Sequence, residues 1–152
     1  MRRLLIEKAQ RRLTVYEDGE PLFCCPVALG RNPEGPKQAE GDGRTPEGEY
    51  YICLKRAQGK FGPALGISYP SARDARAAVS EGRLKEDLVP LFEAAERNKT
   101  RPPWGTALGG EIYLHGGGDD SDWTAGCIAL SDENMARLFA LCQEGDAVTI
   151  LP

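Results

Sequence analysis

Two short segments decide the fold and function of this chain: residues 111–118 read EIYLHGGG, and residues 124–130 read TAGCIAL. Each joins β-prone residues to glycine, so each predicts a short strand beside a sharp turn. His115 is expected at the end of the first strand, and Cys127 at the turn that precedes the second. His115 lies 12 residues before Cys127. The chain from His115 to Cys127 is predicted to leave a strand, turn at the glycines, form an acidic loop and come back. This path could bring the imidazole to the thiol.

The chain contains one histidine and five cysteines, so a Cys-His enzyme built from it has no choice of histidine. Strand and helix periodicity explain four of the cysteines without function. Cys25, Cys53 and Cys142 are predicted in packing positions, and Cys24 on the outer face of a strand. An odd number of cysteines without a CxxC pair fits neither a complete disulfide set nor a zinc site. Cys127 is therefore the candidate nucleophile.

Composition favours one globular domain over residues 1–152, with 41% hydrophobic and 28% charged residues. The net charge of −4 supplies no basic field for nucleic acid. The opening Met1–Ile6 resembles a charged leader, but its apolar run ends at Glu7 and is too short for a signal peptide. No segment is long and apolar enough to be a transmembrane span.

Alternation and turn residues predict a mainly β fold with a few helices. Strands are expected from Leu13 and from Pro21–Leu29 around an Asp18-Gly19 hairpin, then from Tyr50 after a long loop. Helices are expected in the middle and near the C-terminus. They are predicted over Ala72–Val79 with a Ser71 cap, from about Arg83 with a kink or restart at Pro90, and from Ser131 to about Cys142. A last strand is predicted over Ala147–Leu151.

The combination of the His-Gly and Gly-Cys segments resembles the L,D-transpeptidase catalytic domain, the YkuD-like family. The likeness extends to the Leu13–Leu29 hairpin and to the GDGRTPEGEY segment of residues 41–50. It implies a β-sandwich or barrel with helices in the middle and a C-terminal helix and strand. It also implies that Cys127 is the nucleophile, that His115 is its general base and acid, and that Gly126 contributes backbone to the oxyanion site.

Two residues depart from the family pattern. Ala125 stands where many members have a second histidine, and Ala129 where many have arginine, so the substrate contacts proposed for those side chains cannot form in this chain. Thr124 occupies the family's Ser/Thr position, and it is grouped here with Trp123 and Asp122 as candidate substrate-binding residues. In the family, the group that orients the histidine is often a backbone carbonyl.

The resemblance implies a cysteine acyl-transferase that forms a thioester with a peptidoglycan stem tetrapeptide and passes it to an amine, with no cofactor and no metal. The acceptor could be an amine of an envelope protein. A hydrolytic L,D-carboxypeptidase or amidase using the same site is one alternative. A catalytically idle protein that binds cell-wall peptide is another, and a metal-dependent hydrolase lacks a ligand set. The family's substrate implies the periplasm or cell envelope.

Overall fold

The computed structural model describes all residues, 1–152, and its centre is a curled sheet of eight strands. The strands are β1 (Arg2–Glu7), β2 (Arg12–Glu17), β3 (Glu20–Pro26), β4 (Gly48–Gly59), β5 (Gly62–Ile67), β6 (Tyr113–His115), β7 (Ile128–Ala129) and β8 (Ala147–Leu151). Their order across the sheet is β3-β2-β1-β8-β4-β5-β6-β7. The pairs β1–β8 and β6–β7 are parallel, and the other neighbours are antiparallel. The expected mainly β fold is confirmed.

The sheet curls because the chain after β3 returns to its far edge. Ala28 bridges Ala129 of β7, and Gly30 bridges Thr124. The strand predicted over Pro21–Leu29 therefore ends as a regular strand at Pro26 and continues as isolated bridges. The returning segment, which follows β3, brings the β2–β3 hairpin against the turn that carries Cys127.

One apolar core fills the inside of the curl. It contains 22 buried residues drawn from most of the strands and from the last helix. Alternation explains the pattern, since Leu4 and Ile6 of β1, and Leu13 and Val15 of β2, are all fully buried. The predictions for the cysteines are confirmed: Cys25, Cys53 and Cys142 are buried and Cys24 is exposed.

Three α-helices accompany the sheet, close to where the sequence predicts them. They are α1 (Ala72–Ser80), α2 (Val89–Asn98) and α3 (Asp132–Leu141), with a short 3-10 helix at Glu86–Leu88 before α2. Ser71 and Asp74 form a capping box at α1, and Ser131 caps α3. Pro90 lies in the first turn of α2, so it permits a restart rather than a kink.

Strands β1 and β5 were not expected from the sequence. In β1, Leu4-Leu5-Ile6 is an unbroken apolar run, which hides the alternation that the fold imposes on it. Strand β5 contains two glycines and a proline, residues that disfavour strands, and it is held by pairing with both β4 and β6. Together β4 and β5 form a long hairpin whose tip, Lys60-Phe61, reaches the region of His115.

Candidate active site

His115 and Cys127 are brought together by the parallel pair β6–β7. Leu114 is in register with Ile128, and His115 with Ala129. Cys127 immediately precedes β7, so its thiol lies beside the start of β6. There the Tyr113 N–H donates to Cys127 Sγ at 3.3 Å, and Sγ donates to the Glu111 carbonyl at 3.5 Å.

The thiol and the imidazole line one pocket of about 310 Å³. Tyr113 and Glu111 contribute to it from the segment leading into His115. Ala64 of β5, which is in register with His115, also lines it. The β4–β5 hairpin supplies the remaining lining residues, which are Arg56, Gly59, Lys60 and Phe61. A pocket of this size is at the lower end of the range for small-molecule sites.

His115 is held in one orientation by its own backbone neighbour and by two aromatic rings. Its Nδ1 lies 2.5 Å from the Gly116 carbonyl oxygen. Because a carbonyl can only accept, Nδ1 carries the proton and Nε2 is left with its lone pair. The ring stacks on Phe61 at 4.6 Å and 17°, and meets Trp123 edge-on at 5.6 Å.

Burial sets the charge state of both groups. Burial lowers the pKa of His115 below its ordinary 6.5, against the opposing effect of the Gly116 carbonyl. Burial likewise raises the pKa of the Cys127 thiol above its ordinary 9.0, although the Tyr113 N–H and the charge of Lys37 oppose that rise. At neutral pH the site therefore holds a neutral imidazole and a protonated thiol. No hydrogen bond joins Cys127 to His115 in this resting arrangement.

The turn before Cys127 depends on Gly126. Its φ of 144° is favoured only by glycine, and an added Cβ would lie 2.7 Å from the Arg44 carbonyl oxygen. The Gly126 N–H donates to Thr124 Oγ1 at 3.1 Å, so it is already used within the turn. The Cys127 N–H, in contrast, donates to no protein acceptor. Of these two backbone donors, Cys127 N–H is the one available to an oxyanion.

The three residues predicted to bind substrate have different surroundings. Thr124 is buried, and its hydroxyl donates to the Cys127 carbonyl at 2.7 Å. Asp122 accepts from the Arg11 guanidinium and from the Leu29 N–H, and it does not line the pocket. The Arg11 charge and these hydrogen bonds hold the pKa of Asp122 below its usual value, against desolvation. Trp123 alone of the three faces open space.

A second hollow of about 350 Å³ lies on the other side of Phe61. Trp123 and Phe61 line it together with Gly117, Gly118, Asp120 and Ser121. The Trp123 Nε1–H donates to the Gly118 carbonyl at 3.0 Å, which fixes the indole between this hollow and His115. Phe61 thus separates two hollows beside the imidazole, one lined by Cys127 and the other by Trp123.

Sequence reasoning missed the hairpin and the group that orients the histidine. Phe61, Arg56 and Lys60 belong to a strand pair whose second strand has little β character, so nothing placed them near His115. The orienting carbonyl belongs to Gly116, the residue directly after the histidine. The Gly116 position itself was visible in the sequence, but a backbone carbonyl has no sequence signal.

Neither a metal-ligand cluster nor a membrane-spanning helix is found. No three His, Cys, Asp or Glu side chains are grouped so that they could hold a metal ion. None of the helices has the length and apolar character needed to cross a membrane.

Comparisons with known proteins identify the family and the fold. The family model for the L,D-transpeptidase catalytic domain, YkuD, matches residues 1–150. A mutant form of the helical cell shape determining protein Pgp2 from Campylobacter jejuni is 26% identical with a TM-score of 0.68, covering 98% of this chain and 46% of that one. A comparison with curated protein sequences finds no match.

Two mycobacterial enzymes share the fold at lower identity. An L,D-transpeptidase from Mycobacterium smegmatis is 16% identical, with a TM-score of 0.58, over 99% of this chain and 58% of that one. L,D-transpeptidase 3 from Mycobacterium tuberculosis, in complex with a faropenem-derived adduct, is 17% identical, with a TM-score of 0.59, over 99% and 60%. The chain therefore spans roughly half the length of these structures, and at such identities the mycobacterial likenesses support the fold alone.

Proposed function

The chain belongs to the L,D-transpeptidase catalytic domain family, and from this premise we propose that residues 1–152 form a single catalytic domain that modifies peptidoglycan stem peptides. The observation that supports this most strongly is the pocket shared by the Cys127 thiol and a neutral His115 imidazole. The substrate is a stem tetrapeptide, and the site of action is the cell envelope, where peptidoglycan lies.

In the first half-reaction, Cys127 Sγ attacks the carbonyl that precedes the terminal D-residue. The Sγ proton passes to His115 Nε2, and the Gly116 carbonyl steadies the resulting imidazolium through Nδ1–H. The Cys127 N–H donates to the developing oxyanion. The C–N bond then breaks, the imidazolium proton goes to the departing amine, and D-alanine leaves behind a thioester.

The resting contacts of the thiol set one requirement on this step. Sγ lies between the Tyr113 N–H and the Glu111 carbonyl, so its proton must turn from that carbonyl toward the imidazole before transfer. A rotation of the Cys127 side chain is enough to break the weak S–H donation to Glu111. Hydrogen bonds of this kind in free enzymes commonly tighten only when substrate is bound.

In the second half-reaction, an amine or water attacks the thioester. His115 takes the proton of the attacking group, the C–S bond breaks, and the thiol is restored. An amine gives a new amide, which is transpeptidation, and water gives a shortened stem, which is carboxypeptidase activity. An amine of an envelope protein is a third possible acceptor.

We assign Thr124 and Asp122 to shaping the turn rather than to substrate contact. Thr124 hydrogen-bonds within the turn, and Asp122 holds it against Arg11, which lies in the turn between β1 and β2. Trp123 remains a candidate for substrate contact, because it lines the hollow beyond Phe61.

Product analysis with defined stem tetrapeptides tests the proposal. The wild-type protein is incubated with the tetrapeptide alone and with an added amine acceptor, and the products are separated by mass. Shortened stems or amine-coupled stems are expected, and both should disappear in Cys127→Ala. Cys24→Ala is the matched control, since Cys24 is exposed outside the pocket, and it should retain activity. Turnover that survives in Cys127→Ala would contradict the mechanism.

An idle, peptide-binding protein is the second candidate. It is favoured by the resting thiol, which contacts backbone groups and not the imidazole. In that case the tetrapeptide binds without any product or adduct, and Cys127→Ala binds it as well as the wild type does.

A further inference from the structure

The pocket beside Cys127 carries two cations that form no ion pair within the protein. Arg56 and Lys60 both line it from the β4–β5 hairpin, and neither forms a salt bridge or a side-chain hydrogen bond within the protein. The chain as a whole has a net charge of −4, whereas this pocket contains two cations without an ion-pair partner.

Both cationic groups are held near aromatic rings. The Arg56 guanidinium lies 5.4 Å from the centre of the Tyr113 ring, and the Lys60 ammonium lies 5.5 Å from the centre of the Phe61 ring. Contacts of this type limit the freedom of a long side chain while leaving its N–H donors unused. The donors therefore remain available to a ligand in the pocket.

The basic side chains lie on one side of Phe61 only. The hollow on the other side is lined by Asp120 and by no basic residue. A peptide that passes the imidazole thus meets positive charge on the Cys127 side and negative charge on the Trp123 side. Glu111 also lines the Cys127 pocket, which leaves one net positive charge there.

We propose that Arg56 and Lys60 bind a free carboxylate of the stem peptide, carried within one residue of the carbonyl that Cys127 attacks. This inference rests on the proposed function and deepens it. Both cations line the same pocket of about 310 Å³ as the thiol, and one residue of extended chain spans about 3.5 Å, so the carboxylates nearest the attacked carbonyl are the ones that suit this position.

Two groups of a stem peptide could supply this carboxylate. One is the terminal carboxylate of the departing D-residue. The other is a carboxylate on the side chain of the donor residue, where that side chain ends in an amino-acid centre. Either carboxylate would accept charge-assisted hydrogen bonds from the guanidinium, and such bonds are stronger than those between neutral groups.

Three synthetic peptides separate these sources. The first is a stem tetrapeptide with an amino-acid centre on its third side chain and a free C-terminus. The second has a C-terminal carboxamide, and the third has lysine as its third residue and so lacks only the side-chain carboxylate. Binding is measured by calorimetry to the Cys127→Ala protein, so that no turnover interferes.

Each variant has a matched control. Arg56→Gln is compared with Arg137→Gln, because Arg137 also lies over a ring, that of Phe23, at 4.5 Å. Lys60→Gln is compared with Lys99→Gln, because Lys99 lies over Tyr51 at 4.8 Å. All four changes remove one positive charge and one cation–π contact, but only the first of each pair lines the Cys127 pocket.

The first peptide is expected to bind Cys127→Ala about tenfold or more tightly than whichever peptide lacks the recognised carboxylate. Arg56→Gln should reduce that preference to within about twofold, Lys60→Gln should reduce it in part, and the two controls should leave it intact. Equal binding of all three peptides, a lack of binding by all of them, or an equal loss for every peptide in Arg56→Gln would overturn the inference.

The same peptides keep this inference distinct from the proposed function. Thioester formation is scored separately, with wild-type Cys127 and intact mass. A protein that prefers the carboxylate peptide but never forms a thioester retains the carboxylate site and loses the acyl-transfer chemistry. A protein that forms thioesters with equal efficiency from all three peptides retains the chemistry and loses the carboxylate site.

Discussion

At the scale of single residues, burial separates the five cysteines into three kinds. Burial raises the pKa values of Cys25, Cys53 and Cys142 to about 12, which makes these thiols inert at neutral pH. Cys24 is exposed but lies on the outer face of β3, far from any base. Cys127 alone shares a pocket with the imidazole, so its reactivity should depend on His115.

Alkylation with iodoacetamide measures that dependence. Near pH 7.5, peptide mapping should find label on Cys24 and Cys127 and none on the three buried cysteines. His115→Ala should slow the labelling of Cys127 by about tenfold, because the thiol loses its proton acceptor, and should leave Cys24 unchanged. In the wild type the rate at Cys127 should fall on acidification, with a midpoint below 6.5, since burial lowers the pKa of His115. A Cys127 rate that ignores His115 would contradict the assignment.

The sequence identifies Cys127 and His115 but not the atoms around them. Glycine before Cys127 and a histidine at a strand end are patterns of residue type, and these are visible in one chain. The Nδ1 partner is the Gly116 carbonyl, and the free oxyanion donor is the Cys127 N–H. Both are backbone groups that every residue possesses, so only the fold distinguishes them.

At the scale of elements, the β4–β5 hairpin sets the surroundings of the His115 imidazole. Its tip residue Phe61 stacks on the imidazole, and its flanks carry the cations of the Cys127 pocket. Helices α1 and α3 and the last strand were predicted within a residue or two, because caps and periodicity are local signals, whereas α2 begins at Val89 and not near Arg83. The hairpin was not predicted, because Gly62-Pro63 and Gly66 conceal a strand that its neighbours impose.

Replacing Phe61 should therefore change how His115 titrates. Phe61→Ala exposes the imidazole to water, so the pKa of His115 should rise toward 6.5 as the desolvation that lowers it is relieved. The chain has one histidine, so a single imidazole resonance in a proton NMR titration reports this directly. Leu22→Ala, which trims another exposed apolar side chain on β3, is the control and should cause no shift. An unchanged midpoint in Phe61→Ala would show that the stack does not set the imidazole's environment.

At the scale of the whole molecule, Thr45 joins the long loop to the segment after β3 and to the turn before Cys127. It is fully buried, and its hydroxyl accepts from the Gly30 N–H at 3.0 Å and donates to the Gly126 carbonyl at 2.9 Å. Thr45 therefore connects the segment that follows β3 to the turn before Cys127. The sequence predicts this segment only as a long surface loop, since contacts between distant segments leave no local pattern.

Thr45→Val should destabilise the protein, because it keeps the shape of the side chain but leaves the Gly30 N–H and the Gly126 carbonyl without their partner. The expected loss is about 2–6 kcal/mol of unfolding free energy in urea denaturation, from about 1–3 kcal/mol for each of the two unpaired buried groups. Thr45→Ser retains the hydroxyl and should lose less. If Thr45→Ser proves as unstable as Thr45→Val, packing of the methyl group and not the two hydrogen bonds holds these segments together.

The central claim, that Cys127 takes an acyl group from a stem peptide with His115 as its base, is tested most directly by intact mass spectrometry. The protein is mixed with a stem tetrapeptide and quenched in acid. An adduct with the mass of the tripeptide less one water is expected on Cys127; it should be absent in Cys127→Ala and should form far more slowly in His115→Ala. Turnover of the tetrapeptide without any such adduct, or an adduct that forms at the wild-type rate in His115→Ala, would contradict the claim.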